Sequence, residues 1–215
     1  MKIYVVFSLI AAITLFLPVL TIGLKMLVIV ISYNILLPLW SLIDRQSVWL
    51  DIWMFVMPLS ILQIFPDWFL TEVLNSISFE TDPYTMIGEV PAYMAGLWAI
   101  PLFVIIYVGL RVKELRGENV ALILVSILSL ILFVSAEATL WMLPAWTAQN
   151  VLTISHVALY IIIPEILLGV STFLAYEIVQ GRKLVLKVVL AFVVMIFYIG
   201  SASFFYFLLE RLILV

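Results

Sequence analysis

The chain contains no cysteine and a single histidine, His156. The first absence removes disulfide frameworks, thiolate metal sites and cysteine nucleophiles. The second removes multi-histidine iron and zinc centres of the kind oxygenases use. Neither a metal site nor a cofactor is expected. Charge is scarce as well, at 11% of residues, with 10 basic against 13 acidic side chains and a formal net charge of -3. Binding phosphates needs clustered Lys and Arg, so nucleic acid is not an expected partner. Flexible linkers and low-complexity segments are missing too.

What fills the chain is apolar: 67% of its 215 residues are hydrophobic. A soluble domain is about half apolar and about a quarter charged. No water-soluble fold hides this much apolar surface, so the solvent for most of it is a bilayer. About 20 apolar residues cross one. Candidate spans fall near 4–22, 25–41, 48–66, 92–111, 119–143, 152–178 and 184–209. The expected fold is all-α, a polytopic membrane helical bundle of about seven transmembrane helices. Residues 1–215 read as a single integral membrane domain, multi-pass. Only Lys25 and the region from Pro18 to Gly23 separate the first two spans, which suggests a tight hairpin. The start (Met1, Lys2, then an apolar run) resembles a secretory signal, but no convincing cleavage site follows, so it reads as a retained first span.

Basic residues fix the orientation. Lys2, Arg45, the group Arg111, Lys113 and Arg116, and the group Arg182, Lys183 and Lys187 fall at alternate span ends. The N-terminus is therefore expected to be cytoplasmic and the C-terminus non-cytoplasmic, with Lys25 and Arg211 as dissenters. Asp51 lies near the cytoplasmic interface, where snorkelling or pairing with Arg45 would suit it. Pro18, Pro38, Pro58, Pro101 and Pro164 fall inside spans, where each tends to kink its helix and so to open a cavity in the bundle. Residues 66–79 place Trp68, Phe69, Val73, Leu74 and Ile77 on one helical side, with Thr71, Glu72, Asn75 and Ser78 on the other. That pattern predicts one interfacial amphipathic helix, N-capped by Asp67.

Charged groups inside a bilayer are costly, so each is a functional candidate. Glu137 lies near the outer end of span five, and Glu165 toward the middle of span six, directly after Pro164. His156 and Tyr160, four apart, enter span six from the outer side on one face. Asp67 and Glu89 flank the outer loop, and Trp98, Trp141 and Trp146 lie nearby. Together they outline a polar pocket just beneath the non-cytoplasmic face. Asn34 and Gln63 are available to add hydrogen bonds from spans two and three. A carboxyl surrounded by aliphatic side chains has its ionised form disfavoured and can serve as a general acid. Aromatic faces nearby can stabilise a developing cation. Protonating an isoprenoid double bond needs this combination, with no redox cofactor.

The second half of the chain carries Glu137, Trp141, Pro144 and then Pro164-Glu165-Ile-Leu-Leu-Gly. The first carries Asp67, Trp68, then Gly88-Glu89-Val-Pro91 and Gly-Leu-Trp-Ala-Ile-Pro-Leu-Phe ending at Phe103. This plan, over roughly 48–178, resembles the heterodimer-type lycopene cyclases and the related carotenoid hydratases. Those are seven-span proteins of two tandem halves, each with an acid, a Trp/Pro stretch and a Pro-x-Glu-Glu-like motif. Here the order is Glu then Pro in the first half, and a single Glu follows the proline in the second. The resemblance implies two pseudo-repeated halves and an isoprenoid or carotenoid substrate. It makes Glu165 and Glu137 the acids. With His156 they are the catalytic candidates, and Trp98, Trp141, Tyr160, Asp67 and Glu89 the substrate-binding ones.

A seven-helix retinal protein is excluded, because its Schiff base needs a lysine in mid-span and span seven offers only Lys183 and Lys187 at its mouth. Membrane terpene cyclases of meroterpenoid pathways share only size, span count and the use of acids. Two classes remain. One is a cofactor-free enzyme acting on an isoprenoid lipid by acid catalysis. The other is a non-enzymatic membrane protein: a proton-coupled or lipophile carrier, or an assembly factor holding pigment or quinone. The expected partners are the lipid bilayer and a lipophilic small molecule, with a second copy of the chain or a membrane complex as further candidates.

Overall fold

The structure is a computed structural model and describes residues 2–80, 86–140, 142–143 and 145–213. Helix α1 covers Lys2–Phe16, α2 Ile22–Ile43, α3 Ser47–Leu62 and α4 Ile64–Trp68, the last running on as a π-helical stretch over Phe69–Val73. Then come α5 (Met94–Leu97), α6 (Ala99–Arg116), α7 (Glu118–Leu140), α8 (Ile162–Val179, after one 3-10 turn, Leu159–Ile161) and α9 (Leu184–Tyr206). Six stretches among the described residues are long and apolar enough to cross a membrane: Ile22–Ile43, Ser47–Val73, Met94–Arg116, Glu118–Leu140, Leu159–Val179 and Leu184–Ile213. Helix α1 is apolar but shorter. The protein is a multi-pass, all-α integral membrane bundle. In lipid, backbone groups must be satisfied within the chain, which is why these apolar runs are helical throughout.

Local chemistry sets the joints. Thr21 caps α2, its hydroxyl accepting from the Leu24 amide at 3.3 Å. Pro18 falls in the hairpin between α1 and α2, and the Lys25 ammonium donates to the Leu15 carbonyl at 3.0 Å, which accounts for a cation at this end of the bundle. The α6–α7 corner needs one residue, Gly117, whose φ of 86° suits a residue without a Cβ. On α7 the inward stripe is Ala121, Val125, Ser129 and Phe133, and the outward one Ile123, Ile127 and Ile131. Both recur at four residues, so one face meets protein and the other lipid.

The helix ends near Arg45, Arg111, Lys113, Arg116, Arg182 and Lys183 form one basic end of the bundle. Packing from there to mid-span is tight. A Cβ on Gly109 would come within 2.8 Å of Val125 and 2.7 Å of Phe173, and one on Gly169 would overlap Ser129. Small residues let membrane helices approach in this way. Lys187, fully buried, pairs with Asp51 at 2.7 Å, and the Tyr176 hydroxyl and Gly181 amide donate to the same carboxylate oxygen at 2.9 and 3.2 Å. Asp51 is thus held by Lys187 of α9, replacing the expected snorkelling or Arg45 pairing. On the second span, Asn34 donates to the Gly96 carbonyl at 3.1 Å and accepts from the Trp53 indole at 3.2 Å.

The far end differs from expectation in two ways. Residues 66–73 do not form a separate interfacial helix; they extend the third span, and Ile77–Phe79 is a strand, β1. Pro66 is the reason: its ring clashes with the carbonyl four residues back, so α3 stops at Leu62 and restarts after Gln63. Pro101 ends α5 at Leu97 in the same way, and the Ser60 hydroxyl takes the Ala99 amide at 3.1 Å. Pro38 and Pro58 do lie inside α2 and α3, but Pro101 and Pro164 sit in the first turns of α6 and α8. A first turn accommodates proline without a mid-span kink. Three short two-stranded ladders close this end: β1 with β4 (Trp146–Ala148), β2 (Met86–Ile87) with β3 (Val90–Pro91), and β5 (Thr153–Ile154) with β6 (Val157–Ala158).

Replacing Lys187 by Met is expected to destabilise the bundle by about 3 kcal/mol, because the Asp51 carboxylate loses its counter-charge and keeps only the Tyr176 and Gly181 donors. The double variant Lys187→Met with Asp51→Asn should recover part of that loss. Unfolding followed in bicelles by denaturant titration reads both.

Candidate functional site

Beneath the ladders lies a cavity of about 250 Å³ whose walls come from α4, α5, α6, α7, α8, α9 and the β1–β4 roof. It is almost wholly apolar, yet three carboxyls line it: Asp67, Glu137 and Glu165. They are near enough to interact electrostatically.

Each is placed by its helix. Asp67 follows Pro66 in the restarted third span, so it points inward and is 2% exposed; its Oδ2 accepts from the Trp98 indole at 3.1 Å. Trp98 is the joint residue between α5 and α6, the one that Pro101 displaces from a regular helix. Glu137 sits one turn from the end of α7 and accepts from the Trp146 indole on β4 at 2.8 Å. Glu165 follows Pro164 in the first turn of α8 and is 4% exposed. Its Oε2 has no hydrogen-bond partner among the described residues. Tyr160 lines the same space, its hydroxyl sharing a 2.6 Å hydrogen bond with the buried Ser76. Trp98 packs against Phe133 and Tyr198 at ring separations of 5.6 and 6.0 Å, so aromatic faces border the acids.

Five candidates named from the sequence therefore meet in one place: Glu165, Glu137, Asp67, Trp98 and Tyr160. Several details need correction. Glu165 is near the far end of its span, not toward the middle. Asp67 is a buried, hydrogen-bonded carboxyl, not the cap of a surface helix. His156 is not on a helix with Tyr160. It is exposed at the tip of the β5–β6 hairpin, where Ser155 and His156 have φ of 47° and 71°, the backbone a two-residue type I′ turn requires. Glu89 is likewise exposed, at the β2–β3 turn beside Gly88. Trp141 and Pro144 lie outside the described residues.

The sequence reading missed Ser76 and Tyr198. Ser76 belonged to neither face of the expected surface helix. Tyr198 was detectable as a phenol in mid-span; it is 1% exposed. The Gln63 side chain, fully buried, makes no hydrogen bond among the described residues, against expectation.

No group of three or more metal-ligating side chains is present among the described residues. What the arrangement offers is Brønsted chemistry: three carboxyls, two of them held by indole N–H donors and one with a free oxygen.

Fold and cavity together define the class, a multi-pass α-helical membrane protein with an acid-lined apolar chamber at one end of its bundle. Residues 64–209 match the model of a domain of unknown function, DUF6989. The match covers more than half of the chain, which belongs to that family. All the cavity-lining residues, Asp67 to Tyr198, fall inside the matched segment. No curated protein and no solved structure matches the chain.

The Trp98–Asp67 bond is expected to matter for stability. Trp98→Phe leaves a buried acceptor without its donor, a loss of about 1–3 kcal/mol. Asp67→Asn combined with it should be clearly less than additive, since both changes remove one interaction. Denaturant unfolding of the two single variants and the double variant tests this.

Proposed function

We propose that the protein is a membrane-embedded, cofactor-free enzyme that acts on an isoprenoid- or carotenoid-type lipid by carboxyl acid catalysis. The observation that carries the reading is the Glu165 carboxyl: buried beside an aromatic-walled apolar cavity that it lines, with an oxygen that makes no hydrogen bond among the described residues. In its acid form this group gives its proton to one carbon of a substrate double bond. The π electron pair forms the new C–H bond, leaving a carbocation on the adjacent carbon and a carboxylate on Glu165. Faces of Trp98, Tyr198 and Trp146 stabilise the cation. Another double bond of the same polyene attacks it and a neighbouring C–H proton returns to the carboxylate, giving cyclisation. Alternatively water adds and releases its proton there, giving hydration. Either way the acid is regenerated and no electrons are exchanged. Asp67 and Glu137, already accepting from indoles, fix the orientation of the aromatic walls.

The basic end of the bundle supports a cytoplasmic N-terminus, with the cavity beneath the non-cytoplasmic face. Because the chain has no cysteine, single introduced thiols report this directly. Glu89→Cys should react with a membrane-impermeant maleimide added outside intact cells, and Arg182→Cys only after lysis. The reverse pattern rejects the orientation.

Expression in cells that accumulate lycopene, followed by chromatography of the pigments, tests the chemistry. A new, cyclised or hydrated product is expected with the parent chain. With Glu165→Gln, product should fall by about a hundredfold or more while the protein remains folded. An unchanged pigment profile with the parent chain rejects the reading.

A further inference from the structure

A chamber of about 250 Å³ is smaller than the roughly 300–1,000 Å³ of ordinary small-molecule sites. A long isoprenoid would leave most of its length outside, so one wall must open at membrane depth. Exposure shows which. Asp67, Leu70, Tyr160, Ile161, Glu165 and Tyr198 are all buried. The β1–β4 ladder covers the roof, where Trp146 is buried and Ile77 and Ala148 are half-buried. Most of the half-buried lining lies on two helices: Ile100, Pro101 and Val104 of α6, and Leu132, Ala136, Glu137 and Leu140 of α7. All of these are apolar except Glu137, which the Trp146 indole engages.

The α6–α7 hairpin is packed differently along its length. Its helices are joined through Gly117 and pressed together with α8 where Gly109 meets Val125 and Phe173. Beyond that contact they border the chamber, α6 with its first turns and α7 with its last. Residues 132–140 span about 12 Å of helix, so this opening faces the acyl region of one leaflet. Apart from Glu137, which already accepts from the Trp146 indole, the lining along this rim is apolar.

We infer that the chamber is loaded sideways from the bilayer, through a slot between the far-end halves of α6 and α7, by a long-chain isoprenoid. One end of the molecule reaches Glu165 and the remainder stays in the leaflet. This deepens the proposed function, but it needs only a lipophilic ligand and not the acid chemistry.

A diazirine-bearing C20 isoprenol in phosphatidylcholine vesicles, photolysed with the full chain, is the probe. Labelled peptides should come from Trp98 and from the rim at 100–104 and 132–140. Ala136→Trp places an indole in the slot and should cut that labelling several-fold. Ile131→Trp is the control, adding the same bulk on a lipid-facing residue that is 55% exposed, and should label like the parent. Ser78 and Thr147 are register partners in the roof, their hydroxyls 3.0 Å apart. An oxidised Ser78→Cys, Thr147→Cys pair therefore locks the roof and should also label like the parent. Undiminished labelling of Ala136→Trp overturns the inference, as does loss of labelling on locking the roof. Labelling requires no turnover, so the two readings fail separately. If polyenes stay unconverted while labelling follows the slot, the chemistry falls and the route stands. If they are converted and Ala136→Trp is converted and labelled like the parent, the route falls and the chemistry stands.

Discussion

A backbone carbonyl freed by proline inside a bilayer has no water to turn to, so the chain must restart its helix or bring a partner. That constraint shapes the far end of this bundle. Pro66 splits the third span at Gln63, Pro101 splits the fourth at Trp98, and Pro164 follows a 3-10 turn at the head of α8. Each discontinuity turns a polar or aromatic side chain inward. Asp67 and Glu165 immediately follow their prolines, and Trp98 is itself the joint. The Ser60 hydroxyl repairs one of the exposed amides. The cavity is in this sense a by-product of three interruptions at one level of the membrane.

The opposite end obeys the contrary logic. Gly109 lets α6 meet α7 and α8 closely, and Lys187, Asp51 and Tyr176 tie α3, α8 and α9 together through one carboxylate. A buried ion pair of this kind adds little net stability, but losing either member is costly, so it specifies one arrangement. A bundle closed at the basic end and interrupted at the far end has to splay toward the far end. The position of the chamber follows from that asymmetry.

Much of this was legible in the chain. Apolar runs gave the spans, because a helix is the available answer for them in lipid, and the intramembrane acids gave Glu137 and Glu165. What failed was local. The amphipathic pattern over 66–79 is real, yet Pro66 sits in the first turn of a helix that continues the span, and β1 then pairs with β4, a long-range contact that no short-range period encodes. His156 and Tyr160 share a helical spacing, but two positive φ values at Ser155 and His156 make a hairpin there. Asp51 found Lys187 instead of the nearer Arg45, because the α3–α9 packing decides which cation is in reach. The depth of Glu165 was misjudged because the span begins at Leu159, so residues before it are extended and add no helical rise.

Two proline–acid dipeptides meet at the chamber. Pro66-Asp67 lies in the first turn of α4 and Pro164-Glu165 in the first turn of α8, and each delivers its acid to the same lining. They are not equivalent in bonding. Asp67 is engaged by the Trp98 indole, and Glu137 by that of Trp146, whereas the Glu165 Oε2 makes no hydrogen bond among the described residues. Two acids anchored by tryptophans and one left open is an unequal division of labour. If the three served packing alone, nothing would favour leaving the most buried span's carboxyl unsatisfied, since a polar atom without a partner in an apolar site is costly. The arrangement makes sense when a ligand supplies the missing contact.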